Sequence, residues 1–332
     1  MQRVTCGVVA AALAAGLWLM QDVLHGADRT RIFVTFVSHN EESISNPPCA
    51  PVMTDRTRFA ANRVALLQAA QVVWDKRATW NFQTEYEFLL RISEWETDQE
   101  RERTQGLNLV HFLNTFAPGH IQVDAHSHEQ RGYNYADIAY LLERMQVPPN
   151  GIVGGFIVNP TRSETWTRLR EPLRGRRYPT YTWQATTLWG GGSVNHTDDS
   201  NVSGIWRPKA SNEFEVDDPN QALLAVGNYP GTGTDIDATP IQYLLDELRA
   251  NRLQPGRMYT ATIMIEQCEL DNDPTLLPKI GLLIDRFQPD VQRGDLVWAT
   301  LTEMVRVWRE DYESQPLVAR PAWNGGQQTR AR

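Results

Sequence analysis

The sequence predicts an α/β protein, a single domain built as a distorted (β/α)7–8 barrel. Three observations lead there. Short β-branched and aromatic runs alternate with longer amphipathic runs roughly seven or eight times along the chain, the pattern of parallel strands with covering helices. No glycine-rich dinucleotide loop follows the first strand, which favours a closed or nearly closed barrel over an open doubly wound sheet. The residues best suited to chemistry fall just after strands, at the carboxyl ends where parallel barrels carry their sites.

The elements follow in order. Residues 8–20 are an unbroken apolar run behind Gln2 and Arg3. That run is short for a membrane span and fits the apolar region of a signal peptide. Residues 1–27 are therefore expected to be a signal peptide or an N-terminal anchor. The body, 28–313, would be secreted or periplasmic, touching a membrane only through an uncleaved leader. Residues 31–38 read as a strand apolar on both faces, as a buried parallel strand is. Asp55 or Thr57 can cap a helix running to 76, 79–83 is the next strand, and a helix follows to 91. The charge run 94–103 reads as surface. A helix over 107–116 ends at Pro118-Gly119, and a strand starts at 120. Asn134 caps a helix over 135–145. Strands are expected at 152–158, 182–189, 222–226, 259–266 and 296–300, and helices at 239–249, 274–287 and 302–312. Gly190-Gly191-Gly192 and the polar stretch 193–218 read as loop. The tail, 314–332, is Pro-, Gly- and Arg-rich and reads as flexible.

Composition narrows the function. The chain has 332 residues, 41% hydrophobic, and a formal charge of −8. An acidic chain without a concentrated basic face is a poor nucleic-acid binder. Of three cysteines, Cys6 lies in the leader, leaving Cys49 and Cys268 as a pair able to form one disulfide in an exported protein.

The densest chemistry lies in residues 120–129, HIQVDAHSHE. Side chains alternate along a strand, so Asp124, His126 and His128 leave one face together if the strand continues through them. One carboxylate and two imidazoles form a donor set that suits a divalent ion, zinc foremost. His39 or Glu41, after the first strand, can add a fourth ligand. A bound ion would activate water, Glu129 or Glu42 would take its proton, and His196, oriented by Asp198 or Asp199, would protonate the leaving group. Around this centre Trp189, Trp206, Arg207, Tyr133, Arg131 and Glu266 are the candidates to line a substrate pocket, the tryptophans as sugar platforms. The structural alternatives are plain: His39 can cap a turn, His196 can be an ordinary loop histidine, and most tryptophans pack cores.

These motifs resemble the polysaccharide deacetylases of the glycoside hydrolase/deacetylase barrel superfamily. Thr35-Phe36 sits where that family's T-F-D-D-G motif begins. Gly119-His120-Ile121 followed by His126 and His128 resembles its G-H-E-I and H-x-x-x-H, and 296–301 before the closing helix resembles its last strand. The family's two aspartates would fall on Val37 and Ser38, and its histidine spacing is i, i+4 where this chain has i, i+2. The resemblance implies a metal-dependent hydrolase removing acyl groups from a glycan or another acylated small molecule. Two other readings use the same residues: a non-catalytic barrel binding a glycan or a partner at the cell envelope, and an amidohydrolase or phosphoesterase built on D-x-H-x-H.

Overall fold

The computed structural model describes residues 30–39, 50–129, 131–157, 163–192, 199–228 and 236–320. Strand β1 (Arg31–His39) is the spine of the sheet, buried from its second residue onward. It pairs along its whole length with β12 (Met258–Glu266) on one edge. Its other edge is shared: β13 (Leu296–Trp298) takes Ile32 to Val34, and β2 (Trp80–Thr84) takes Phe36 to His39. The sheet continues through β3 (Ile121–His126), β4 (Ile152–Gly154), β7 (Thr187–Trp189), β11 (Leu224–Val226) and β8 (Ile205–Trp206). Every pairing is parallel except β11 with β8. Two short antiparallel pairs stand outside it, β5 (Leu173–Arg174) with β6 (Thr182–Trp183) and β9 (Pro208–Ala210) with β10 (Glu213–Asp217).

Full closure, one form of the expected closed or nearly closed barrel, does not occur among the described residues. Among the described residues the sheet is an open path ending on β12 and β8, and no backbone ladder joins them. The ends are instead tied by hydroxyls: Thr260 Oγ1 accepts from Gly204 N at 2.9 Å and donates to Gly227 O at 3.0 Å, and Thr262 Oγ1 donates to Asn228 O at 3.2 Å. The antiparallel turn of β8 is the physical reason. It brings two glycines, Gly204 and Gly227, to the seam in place of a parallel neighbour for β12. A side chain at Gly227 would put Cβ 2.2 Å from Val202 O.

The helices α1 (Ala50–Thr54), α2 (Arg56–Asp75), α3 (Tyr86–Trp95), α4 (Asp98–Glu102), α5 (Leu109–Phe116), α6 (Tyr135–Arg144), α7 (Ser163–Leu169), α8 (Thr239–Arg249), α9 (Leu276–Arg293) and α10 (Leu301–Glu310) complete the fold. Asp55 caps α2 through Thr57 N and Arg58 N, and Asn134 closes a capping box with Asp137 on α6, both as the sequence suggests. Alternation along each strand sorts two cores. Ile32, Val34, Phe36, Phe82, Val123, Ala125, Ala261 and Ile263 face the helices. Phe33, Val37, Ile152, Leu224 and Met258 face inward, with Leu301, Met304 and Trp308 of α10 packed on them. The first turn of α10 lies against inward Asn81 and Gln122, with Leu301 N donating to Asn81 Oδ1 at 3.2 Å. One end of the interior is thereby filled, and chemistry is left to the other.

Some local expectations change. The strand expected over 182–189 splits between β6 and β7, and the expected loop 193–218 holds β8, β9 and β10. The charge run is not all surface. Glu96 is buried and accepts from Arg63 Nε at 2.7 Å and Leu109 N at 3.0 Å. Residues 315–320, expected to be flexible, run antiparallel to the start of β8, with Leu317 N donating to Ile205 O at 3.0 Å and Ala319 N to Ser203 O at 2.9 Å. Leu317 is 8% exposed, so the tail begins by burying an apolar side chain. The expected leader, 1–27, Cys49 and 321–332 lie outside the described residues. Among those described, no helix is long and apolar enough to cross a membrane. Cys268 is disulfide-bonded, its partner outside the described residues.

Candidate functional site

The site is assembled at the carboxyl ends of β1, β2, β3, β4, β7 and β12. Parallel register does much of the work. His39 ends β1 opposite Glu266, the last residue of β12, so the two side chains leave the same face as neighbours. His39 Nε2 lies 3.8 Å from Glu266 Oε1, with both side chains largely buried. His126 ends β3 and stacks flat on His39, ring centroids 4.5 Å apart at 5°. Trp189, at the end of β7, tilts against His39 at 6.5 Å. It is 7% exposed, and its indole N–H has no hydrogen-bond partner among the described residues.

His128 lies beyond the strand, with its ring edge-on to His126 at 5.2 Å and 84°. Its Nδ1 is 2.8 Å from Gly155 O. A carbonyl only accepts, so Nδ1 carries a proton. Tyr135 OH shares its one proton between Ser127 O at 2.6 Å and Gly154 O at 2.9 Å, pinning the ends of β3 and β4 together.

Asp124 lies one strand repeat below His126, 1% exposed. Its Oδ2 accepts from Asn81 Nδ2 at 2.7 Å, and its Oδ1 from Asn150 Nδ2 at 2.7 Å and from Gln122 Nε2. Burial pushes the carboxyl up to about 6, while the three amides pull it down. Asn81 in turn accepts from Thr35 Oγ1 at 3.2 Å. Asp124 is thus the hub of a polar network inside the sheet.

The expected metal set must be read against this geometry. Among the described residues no three His, Cys, Asp or Glu side chains gather so as to hold a metal ion. Asp124, His126 and His128 leave one side of the chain but spread over depth. Asp124 spends its oxygens on amides, and the rings of His39 and His126 lie in nearly parallel planes, which keeps their in-plane lone pairs from converging on one point. The described donors therefore do not by themselves make a metal centre. Glu41, Glu42 and His196 lie outside the described residues, as does Asp198; Asp199 is buried.

Glu129, expected as a base, has φ of 55° and sits 3.4 Å from Arg168 and 3.6 Å from Arg176. Arg176 also donates to Glu129 O and Tyr133 O, each at 3.0 Å, so this group straps the loop after β3, in which Arg131 is half-buried. Tyr133 is 1% exposed and stacks on Tyr86 at 4.7 Å. Trp206 and Arg207 are corrected outright as a sugar clamp. Trp206 is 0% exposed with its indole N–H donating to Phe214 O at 2.6 Å. The Arg207 guanidinium is tied to Asp217 by two bonds, at 2.9 and 2.8 Å, and lies over Trp308 of α10. The antiparallel direction of β8 carries them off.

Reasoning from sequence missed Asn81, Gln83, Gln122, Asn150 and the Gly154-Gly155 pair. The signal was there for β2: in WNFQT, Asn81 and Gln83 alternate with apolar residues in a strand buried on both faces.

No protein-family model matches the chain, and no curated protein does. Among solved structures it is similar to the 4-alpha-glucanotransferase from Thermococcus litoralis, at 12% identity and a TM-score of 0.51, over 83% of this chain. The chain spans 40% of that protein's length. It also aligns with a provisionally assigned polysaccharide deacetylase from Mycobacterium smegmatis, at 13% identity, 90% and 96% coverage and a TM-score of 0.47, a score too weak to establish a shared fold. The first likeness is one of fold: a mixed α/β single domain on a mainly parallel sheet.

Proposed function

We propose that this chain is a hydrolase acting on a carbohydrate-type substrate, with His39, His126 and Glu266 as its acid–base group. The observation that carries the reading is the flat His39–His126 stack beside Glu266 at the carboxyl end of the parallel sheet. Two imidazolium charges 4.5 Å apart would repel by about 4 kcal/mol at an effective dielectric of about 20. The pair therefore works with one proton. Glu266 favours that proton on His39, leaving His126 to accept. His126 takes a proton from water as the water attacks an acyl or glycosyl centre, and His39 returns one to the departing oxygen or nitrogen. Trp189 offers an aromatic wall and an indole N–H to a hydroxyl-rich ligand.

Removal of an acyl group from a glycan is the form of the reaction that the histidine motifs favour. A second reading makes the same hydrolase metal-dependent, with zinc as the expected ion. It draws on the Nδ1–H tautomer of His128, which is the form a metal-binding imidazole takes. The disulfide at Cys268 accords with an exported, secreted or periplasmic protein, either free or held by its leader. Acetate and reducing-end release from acetylated chitooligosaccharides tests the first reading. Elemental analysis of the purified protein and of His126→Ala and His128→Ala variants tests the second, since equal metal content in all three removes it.

A further inference from the structure

We propose that Gln83 is a positioning residue that fixes the tautomer of His126, an assignment that rests on the reading of His126 as the base. Gln83 lies one residue before the end of β2, 0% exposed. It is paired in register with His39 on one side and Asp124 on the other, so its side chain enters the interior between the histidines and the buried carboxyl. Its Oε1 faces His126 Nδ1 at 3.3 Å. A carboxamide oxygen only accepts. Held there, it keeps the proton on Nδ1 and presents the lone pair at Nε2, the atom that must accept from water.

The surroundings are built for this contact. Gly154 is the register partner of His126 on β4. A Cβ at Gly154 would stand 1.8 Å from Gln83 Oε1 and 2.5 Å from Cδ, so no other residue leaves space for the amide. A Cβ at Gly155, where φ is 78°, would meet His126 Cε1 and Nε2 at 3.0 Å and Ser127 O at 2.7 Å. Two adjacent glycines thus form one slot holding an amide and an imidazole edge to edge. The arrangement is costly as mere packing: Gln83 Nε2 is buried without a hydrogen-bond partner among the described residues, and a buried unpaired donor destabilises a fold. Gly155 also supplies the carbonyl that orients His128, so the same turn sets both rings to the same tautomer, one through backbone and one through Gln83.

The test is 15N NMR of the histidine rings in the full chain, wild type against Gln83→Leu and Gln83→Glu. In the wild type, His126 should show a protonated Nδ1 and a bare Nε2. Leucine keeps the bulk but removes the acceptor, so His126 should lose that preference while His128 keeps its own. Glutamate restores an acceptor and should restore the wild-type pattern. Turnover of the chitooligosaccharide should fall about tenfold to a hundredfold in kcat for Gln83→Leu with KM little changed. A wild-type His126 protonated at Nε2, or a ring unmoved by Gln83→Leu, overturns the proposal, and the wild-type spectrum alone decides if the leucine variant does not fold. A tautomer that shifts with no turnover in any form upholds Gln83 and sinks the hydrolase reading instead.

Discussion

Replacing Asp124 with asparagine probes the charge at the heart of the sheet. The carboxyl rises from its ordinary 3.8 to about 6 because it is buried, in spite of amide hydrogen bonds from Gln122, Asn81 and Asn150. Its value in the folded chain therefore lies above its value in the unfolded chain, and between the two the folded state holds the extra proton. Stability from this group is greatest below about pH 4, declines as the pH climbs to about 6, and is level beyond. A rise of about two units amounts to about 3 kcal/mol. The asparagine variant has nothing to titrate there, so its own contribution is independent of pH. It also turns an NH2 group toward donors that previously met a carboxyl oxygen, costing about 1–3 kcal/mol at every pH. Urea unfolding of both proteins between about pH 4 and pH 7 reads the effect. The stability of wild type minus variant should shrink by about 3 kcal/mol across that span. A difference that stays constant with pH refutes the reasoning, since the carboxyl would then be ionised throughout.

Three further outcomes follow from the geometry. Gly154→Ala should fold yet lose most turnover, because its Cβ has to displace the Gln83 amide; near-normal rates in that variant contradict the slot. Glu266→Gln removes the charge beside His39 and should lower kcat by about tenfold to a hundredfold. An unaltered kcat speaks against the pairing. Trp206→Ala should cost about 3–5 kcal/mol of stability without changing KM for an oligosaccharide, as measured by denaturant titration and kinetics; a large rise in KM restores the sugar-platform expectation.

Much of the frame is legible in the sequence because strand burial and periodicity are local properties. The runs that became β1 and β12 are apolar enough to be read unaided, and the inward alternation of Gln122, Asp124 and His126 follows from period two alone. What failed depends on partners far away in the chain. Closure of the barrel turns on the direction of β8, which two residues of strand cannot announce. The polar network around Asp124 draws amides from β2, β3 and the turn before β4, so a carboxylate that reads as a ligand is in fact occupied. Trp206 and Arg207 look like surface recognition residues because they sit in a polar stretch, yet Phe214 and Asp217 of the neighbouring hairpin take their polar atoms. His39 and His126 were each visible, but their stacking comes from the β1–β2–β3 register and not from either motif.

The most direct measurement is hydrolysis of acetylated chitooligosaccharides by wild type, His126→Gln and His39→Gln, following acetate and reducing ends in parallel. The wild type should release one of these products, and both variants, with their folds intact, should lose about a hundredfold or more of that rate. Folded variants that match the wild-type rate, or a wild type that releases neither product, contradict the hydrolase reading.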